Sequence, residues 1–170
     1  KPIKPNKKKN TFVYVSNFSN HKNHFKLFKA FIDVSKKLTT DIELNLTIDD
    51  EVFKKSFYYL IKKPNNFKII NHGVINSLQI KKLYCFSEFL IFPSLNESFG
   101  MPLVEAVQNG CMVLASDLNY VNEVIRPSHS FDPNSILSIS NSIQFVITNK
   151  IKKSKIIVEN KIDTFVKYIS

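Results

Sequence analysis

Segments with the apolar spacing of β-strands alternate with segments of helical spacing about every 25 residues, and this alternation constrains the fold most strongly. Residues 11–16 (TFVYVS), 42–48 (IELNLTI), 67–70, 89–92 (FLIF) and 112–115 read as strands, with Phe131 in a last short one. Residues 22–38, 49–62, 77–86, 102–109, 135–148 and 155–169 read as helices. In the first of these, Leu27, Phe28, Phe31, Val34 and Leu38 fall on one face. The second opens on Asp49-Asp50-Glu51, acids that suit a helix N-terminus. The unbroken FLIF run, closed by Pro93, has the pattern of a strand buried on both faces of a parallel sheet. Repeated βαβ units imply an α/β domain with a doubly wound, Rossmann-like parallel sheet. The expected organisation is a linker or tail over residues 1–10, a domain over 11–150 and a C-terminal helix over 151–170. Ligands of such sheets bind at the carboxyl ends of the strands, near the point where strand order reverses. The informative loops are therefore 16–23, 72–76, 93–101 and 116–123.

Composition removes several alternatives. The only glycines, Gly73, Gly100 and Gly110, are too far apart for a G-x-G-x-x-G dinucleotide loop. No run reaches the ~18 apolar residues of a membrane-spanning helix, and the Lys-rich start is not followed by the apolar stretch of a secretory signal. The net charge is +10, from 24 basic and 14 acidic residues, but Arg126 is the sole arginine. Nucleic-acid readers favour arginine for bidentate contacts, so no nucleic-acid partner is expected. A Lys-rich surface does suit anionic phosphates or an anionic membrane surface. Cys85 and Cys111 lie among apolar residues and fit buried thiols in a reducing compartment, although their spacing leaves pairing open. His21 and His24 lack the further ligands that a zinc site needs, and no metal is expected. Ser116-Asp117 has no matched histidine for a hydrolytic triad.

The segment from Pro93 to Ala106, PSLNESFGMPLVEA, concentrates the chemistry. It leads from the buried strand through a polar loop into a helix in which Pro102 suits the first turn. The backbone N–H groups of Phe99, Gly100 and Met101 are then placed to face an anion at the helix N-terminus. Gly100, lacking a side chain, allows close approach of a ligand. Glu105, about one turn inside, suits either the helix macrodipole as an ordinary first-turn acid or hydrogen bonds from ribose hydroxyls, away from phosphate. Glu97, on the other side of this cradle, is placed for sugar hydroxyls.

This segment resembles the E-x7-E signature of the retaining glycosyltransferases of family 4, which have the GT-B fold. Glu97 and Glu105 match its two glutamates, and Ser98, Phe99, Gly100, Met101 and Pro102 its inner residues. The first strand followed by Lys22-Asn23, the stretch VLASDLNYVNEV and Phe131-Asp132-Pro133 keep the family's order. The resemblance covers nearly the whole chain. It implies the C-terminal, nucleotide-sugar-binding domain of a hexosyltransferase-type enzyme. Its implied reaction is retaining transfer from a nucleoside-diphosphate sugar to a growing glycan such as bacterial surface polysaccharide. By resemblance, Lys22 meets the donor diphosphate, Glu97 the transferred sugar and Glu105 the ribose. Ser98 and the backbone at Phe99, Gly100 and Met101 meet sugar and phosphates, and Gly73 and Val74 lie beside the base. The family's Gly-Arg after the first strand is Ser16-Asn17 here, so Asn17 replaces one of two cations at the diphosphate. The glycine usual after the second strand is absent from TIDD.

The implied partners are a nucleotide sugar, a glycan or lipid-linked acceptor, and an N-terminal acceptor domain that this chain does not contain. No cofactor or metal is expected, because cations and backbone dipoles neutralise the diphosphate. The expected location is the cytoplasm, with possible peripheral association at the inner face of the membrane. Two other readings stand beside this one. The first is a truncated, non-catalytic nucleotide-binding domain; the second is a Lys-rich binder of nucleic acid or an anionic surface.

Overall fold

The structure, a computed structural model, describes residues 6–157. Fourteen elements follow in order. They are β1 (Lys8–Tyr14), α1 (His24–Lys37), β2 (Ile42–Leu46), α2 (Asp50–Phe57), β3 (Phe67–Asn71), α3 (Ser77–Phe86), β4 (Ser87–Phe92), α4 (Met101–Gln108), β5 (Met112–Ser116), α5 (Asn119–Asn122), β6 (Ile125–Arg126), β7 (His129–Phe131), α6 (Ile136–Thr148) and β8 (Lys155–Ile156). Six strands form one sheet in the order β3-β2-β1-β4-β5-β7, every neighbouring pair parallel. The chain winds outward from β1 to β3, then returns to place β4 on the other side of β1. Right-handed crossovers in opposite directions put their helices on opposite faces. Accordingly α1 packs against α6, and α3 packs against α4. The doubly wound α/β fold expected from the sequence is the fold found, with its switch point between β1 and β4.

Many of the 15 phenylalanines serve one face of the sheet. Phe12 of β1 stacks on Phe89 of β4 at 4.8 Å between ring centroids and meets Phe31 of α1 edge-on at 5.3 Å. Phe31 in turn stacks on Phe67 of β3 at 5.1 Å. These four rings lock three strands to α1, and all are fully buried. Stacked and edge-on pairs add about 0.5–1.5 kcal/mol each beyond area burial.

Three expectations need correction. Residues 8–10 belong to β1, not to a tail. Lys8 pairs in register with Ser87, and its Nζ lies 2.7 Å from Glu43. Asn10 adopts a left-handed φ of 56° where the β1–β4 register shifts, and its N–H donates to Glu88 at 2.7 Å. The expected helix over 49–62 ends at Phe57, whose backbone (φ −125°, ψ 20°) turns into a 3-10 segment, Tyr58–Lys62. The Phe57 ring packs edge-on against Phe28 at 4.5 Å and Phe18 at 5.4 Å, contacts that fix where α2 stops. Finally, Lys155–Ile156 is a strand, paired antiparallel with β6. The Ser154 hydroxyl before it accepts from the N–H groups of Val113 at 2.8 Å and Ser128 at 3.0 Å, which holds the chain extended. The rest of the expected C-terminal helix, from residue 158, lies outside the described residues.

Phe31→Ala is expected to cost about 3–5 kcal/mol, because it leaves a cavity between the rings of Phe12 and Phe67. Urea unfolding would report it as a lower midpoint at unchanged slope. Leu137→Ala, at a side chain 59% exposed, is expected to change stability by no more than about 0.5 kcal/mol.

Candidate functional site

The site is built by the loops that leave β1 and β4, side by side at the switch point. Asn23 turns the chain into α1 through a left-handed φ of 59°. Its buried side-chain amide donates to the carbonyls of Pro93 at 3.1 Å and Pro133 at 2.8 Å, joining the loops after β1, β4 and β7. The Leu95 N–H donates to the His21 carbonyl at 2.7 Å. The Tyr14 hydroxyl, fully buried at the end of β1, donates to the Lys22 carbonyl at 2.9 Å and lies 2.8 Å from Ser94 Oγ. From α5, Tyr120 donates its hydroxyl to the Ser94 carbonyl at 2.7 Å. Burial raises both tyrosines above the ordinary phenol range, and the nearby Glu97 charge adds to this. They remain neutral hydroxyls that fasten one loop to the other.

On this frame Lys22 Nζ lies 2.6 Å from Glu97 Oε1, with the two side chains 15% and 13% exposed. Residues 75 positions apart in sequence thus form one mostly enclosed ion pair at the mouth of the switch point. Beyond Glu97, Ser98 and Phe99 are exposed, and Met101 is 55% exposed. Among the described residues, the N–H groups of Ser98, Phe99, Gly100 and Met101 donate to no protein acceptor. Such open donors at a helix start form an anion-binding surface. Gly100 has φ 74°, and a Cβ there would stand 2.9 Å from the Leu103 side chain. The left-handed backbone conformation therefore favours glycine at this turn, and a Cβ would also press on the end of the Leu103 side chain.

Glu105 sits deeper, half-buried on α4, and accepts from the Tyr84 hydroxyl of α3 at 3.3 Å. Asn17 and Val74 line a cleft of about 410 Å³, together with Val15, Phe18, Thr47 and Asp49. Gly73, at φ 67°, brings the loop after β3 against the Asp50 carboxylate, which would lie 3.1 Å from a Cβ at that position. The structure thus joins Lys22 to Glu97 and brings Asn17 and Val74 together in a separate cleft. Glu105 does not line this cleft.

His24, the first residue of α1, is 1% exposed; its Nε2 is 3.0 Å from Ser16 Oγ, and its Nδ1 has no partner. Burial first, then the Lys22 charge, lowers its pKa to about 3. It is a neutral packing residue below the Lys22 loop. His21 is exposed and bonds Ser19 instead. Among the described residues, no group of three or more His, Cys, Asp or Glu side chains is placed to hold a metal, and no helix is long and apolar enough to cross a membrane. Cys85 and Cys111 are both buried thiols. Burial pushes the Cys111 thiol up to about 11, against the opposing pull of Lys7.

Sequence reasoning missed Tyr14 and Ser94 altogether and saw Tyr120 only within its loop. Tyr14 reads as one more core aromatic in TFVYVS, and nothing local marks its hydroxyl. Asp49 was legible as a helix opener but not as the wall of a cleft.

The family model described as "Glycosyl transferases group 1" matches residues 1–164. The chain is 30% identical over 122 residues to the capsular polysaccharide biosynthesis glycosyltransferase CapH of Staphylococcus aureus, covering 69% of this chain and 33% of that protein. It is 29% identical over 84 residues to the serotype-specific mannosyltransferase WbdA of Escherichia coli, covering 49% of this chain and 10% of that protein. The chain therefore spans about a third or less of the length of these two relatives. Among solved structures, the C-terminal domain of the glycosyl transferase group 1 family protein LpcC from Francisella tularensis superposes with a TM-score of 0.66. The identity is 19%, over 83% of this chain and 76% of that one.

The buried His24 gives an expected pH dependence. Its folded pKa lies below its unfolded value of about 6.5, so the unfolded chain binds the extra proton. Stability should therefore fall as pH drops from about 6.5 toward 3, by up to about 1.4 kcal/mol per unit from this group. Urea unfolding at pH 7, 6 and 5 would measure it. The difference between the parent and His24→Phe should grow smaller, or change sign, as pH falls.

Proposed function

This chain belongs to the group 1 glycosyl transferases, and on that premise we propose that it is the donor-binding domain of a retaining, family 4 transferase. In this reading it holds a nucleoside-diphosphate sugar for transfer to a growing glycan, such as bacterial surface polysaccharide. The observation that carries the reading is the Lys22–Glu97 pair at the switch point, 2.6 Å apart beside the open N–H groups of residues 98–101. A nucleotide sugar presents a diphosphate next to a polyhydroxylated ring. The site presents a cation and helix-start donors next to a carboxylate.

Donor binding exchanges partners. The diphosphate takes Lys22 and the N–H groups at Ser98, Phe99, Gly100 and Met101, while Glu97 turns to the hydroxyls of the sugar. As the anomeric C–O bond breaks, positive charge grows on the sugar and negative charge on the leaving diphosphate. Lys22 and the α4 N-terminus stabilise the latter. Neutralisation by lysine and backbone dipoles gives this reading no role for a metal. Glu105 receives the ribose hydroxyls by rotating from Tyr84. The base lies in the cleft beside Asn17, Gly73 and Val74. The acceptor, a glycan or a lipid-linked chain, is brought by an N-terminal domain that forms the other wall of the cleft. Lysine-rich surface and a lipid-linked acceptor together favour work at the cytoplasmic face of a membrane.

Two outcomes are expected. Calorimetry with UDP-, GDP- and dTDP-sugars should find at least one that binds the chain in preference to duplex DNA. Lys22→Ala and Glu105→Ala should weaken that ligand, Glu105→Ala by ~1.5–3 kcal/mol, about ten- to a hundredfold. Glu105→Gln, which keeps an acceptor for Tyr84, separates lost binding from lost folding. Equal affinity in all three variants would remove the proposed roles. Sugar transfer to an oligosaccharide acceptor should be absent with this chain alone and appear when an acceptor domain is supplied, since orientation contributes ~7–11 kcal/mol. Robust turnover by residues 1–170 alone would show that the acceptor site is misplaced.

A further inference from the structure

The cleft lined by Asn17 and Val74 carries one carboxylate. Most of its lining is apolar, from Val15, Phe18, Val52, Val74 and Ile80, and suits a flat heterocycle, while Ser16, Asn17 and Thr47 are its neutral polar members. Its volume of about 410 Å³ is that of an ordinary small-molecule pocket. The acid in its lining is Asp49, in the loop between β2 and α2. Asp49 Oδ1 is committed to the start of α2, accepting from Glu51 N at 3.0 Å and Val52 N at 3.1 Å. Among the described residues Oδ2 accepts nothing, and the side chain is solvent-exposed. The next carboxylate, Asp50, is taken by the Asn71 amide at 2.7 Å and stands against Gly73.

A carboxylate at this place is costly to most nucleotides. It repels the diphosphate, and it accepts hydrogen bonds without donating any. Uracil and thymine offer a single N3–H between two carbonyls, both of which a carboxylate repels. Adenine and cytosine set an amino group next to a bare ring nitrogen, so one donor comes with one repulsive acceptor. Guanine alone among the common bases presents two adjacent donors, N1–H and the 2-amino group, which the two lone pairs of the open Oδ2 can accept together. Resting on the donor-domain reading above, we propose that Asp49 is a specificity-determining residue and that the nucleotide carrying the sugar is a guanosine diphosphate.

The test needs only soluble nucleotides and calorimetry on the 170-residue chain. GDP is expected to bind at least tenfold more tightly than UDP, dTDP or ADP. It should also exceed inosine diphosphate, which lacks only the 2-amino group, by about tenfold. Asp49→Asn keeps an equally good cap for α2 but, with Oδ1 held by that cap, sets a donating amide NH2 where the accepting Oδ2 stood. In that variant the preference for GDP over xanthosine diphosphate, whose 2-position is a carbonyl, should invert. A merely structural Asp49 would not move that ratio. Inosine and guanosine diphosphates binding equally to the parent would overturn the inference without any mutation, even if the variant folds poorly. So would tighter binding of UDP, dTDP or ADP than of GDP, and either result leaves the donor-domain reading standing. Failure of every nucleoside diphosphate and nucleotide sugar to bind would overturn that reading itself.

Discussion

A phenol hydroxyl buried at the end of a central strand must find hydrogen-bond partners or cost the fold about 1–3 kcal/mol. Tyr14 finds them in the Lys22 carbonyl and the Ser94 hydroxyl, on the two loops that diverge from the switch point. The Tyr120 hydroxyl fixes the Ser94 carbonyl from the other side. Satisfying Tyr14 therefore sets the separation of the loops after β1 and β4, and with it the 2.6 Å approach of Lys22 to Glu97. The four-ring cluster beneath holds β1, β3 and β4 against α1. Core packing positions the strands, and a few buried polar contacts convert that position into a site.

The excess of lysine is handled in the same way. Lys7 Nζ donates to the Tyr84 carbonyl and, at 2.8 Å, to that of Asn109, closing the α3–β4 and α4–β5 connections. Lys8 and Lys68 flank Glu43, a carboxylate 5% exposed in the middle strand of its half of the sheet. Burial acts to raise its pKa, yet hydrogen bonds from Lys8 and Asn45, with both lysine charges, hold it below the usual range. Lys7 thus serves two backbone carbonyls, and Lys8 and Lys68 serve one buried acid while their side chains stay 50% and 65% exposed.

Periodicity made the strand–helix alternation legible, because each segment had to place its apolar side chains on a face that the sheet would cover. It did not locate the edges. Lys7 and Lys8 read as solvated, since their acceptors lie 77 and 102 positions away for Lys7 and 35 for Lys8. Lys155 reads as helical because the pairing that overrides its local pattern comes from β6. The candidate site divides along the same line. Glu97, Gly100 and Glu105 stand out because strand, loop and helix start are contiguous in sequence. Lys22 stood out only through family resemblance. Tyr14 and Ser94 are 80 positions apart and acquire their roles only when β1 and β4 become neighbours.

The Lys22–Glu97 pair also bears on what the proposed site can accept. Removing one partner from a fully buried ion pair costs about 3–5 kcal/mol, and this pair is enclosed enough to feel part of that. An anion that takes Lys22 alone leaves Glu97 half-buried without a partner. A sugar that reaches Glu97 alone leaves Lys22 in the same position. Only a ligand with a diphosphate joined directly to a hydroxyl-bearing ring replaces both halves of the pair at once. On the donor-domain reading, the intact nucleotide sugar is therefore favoured over the nucleoside diphosphate left after transfer. On the same reading, departure of the sugar lets Glu97 regain Lys22, and re-formation of the pair favours release of the spent nucleotide.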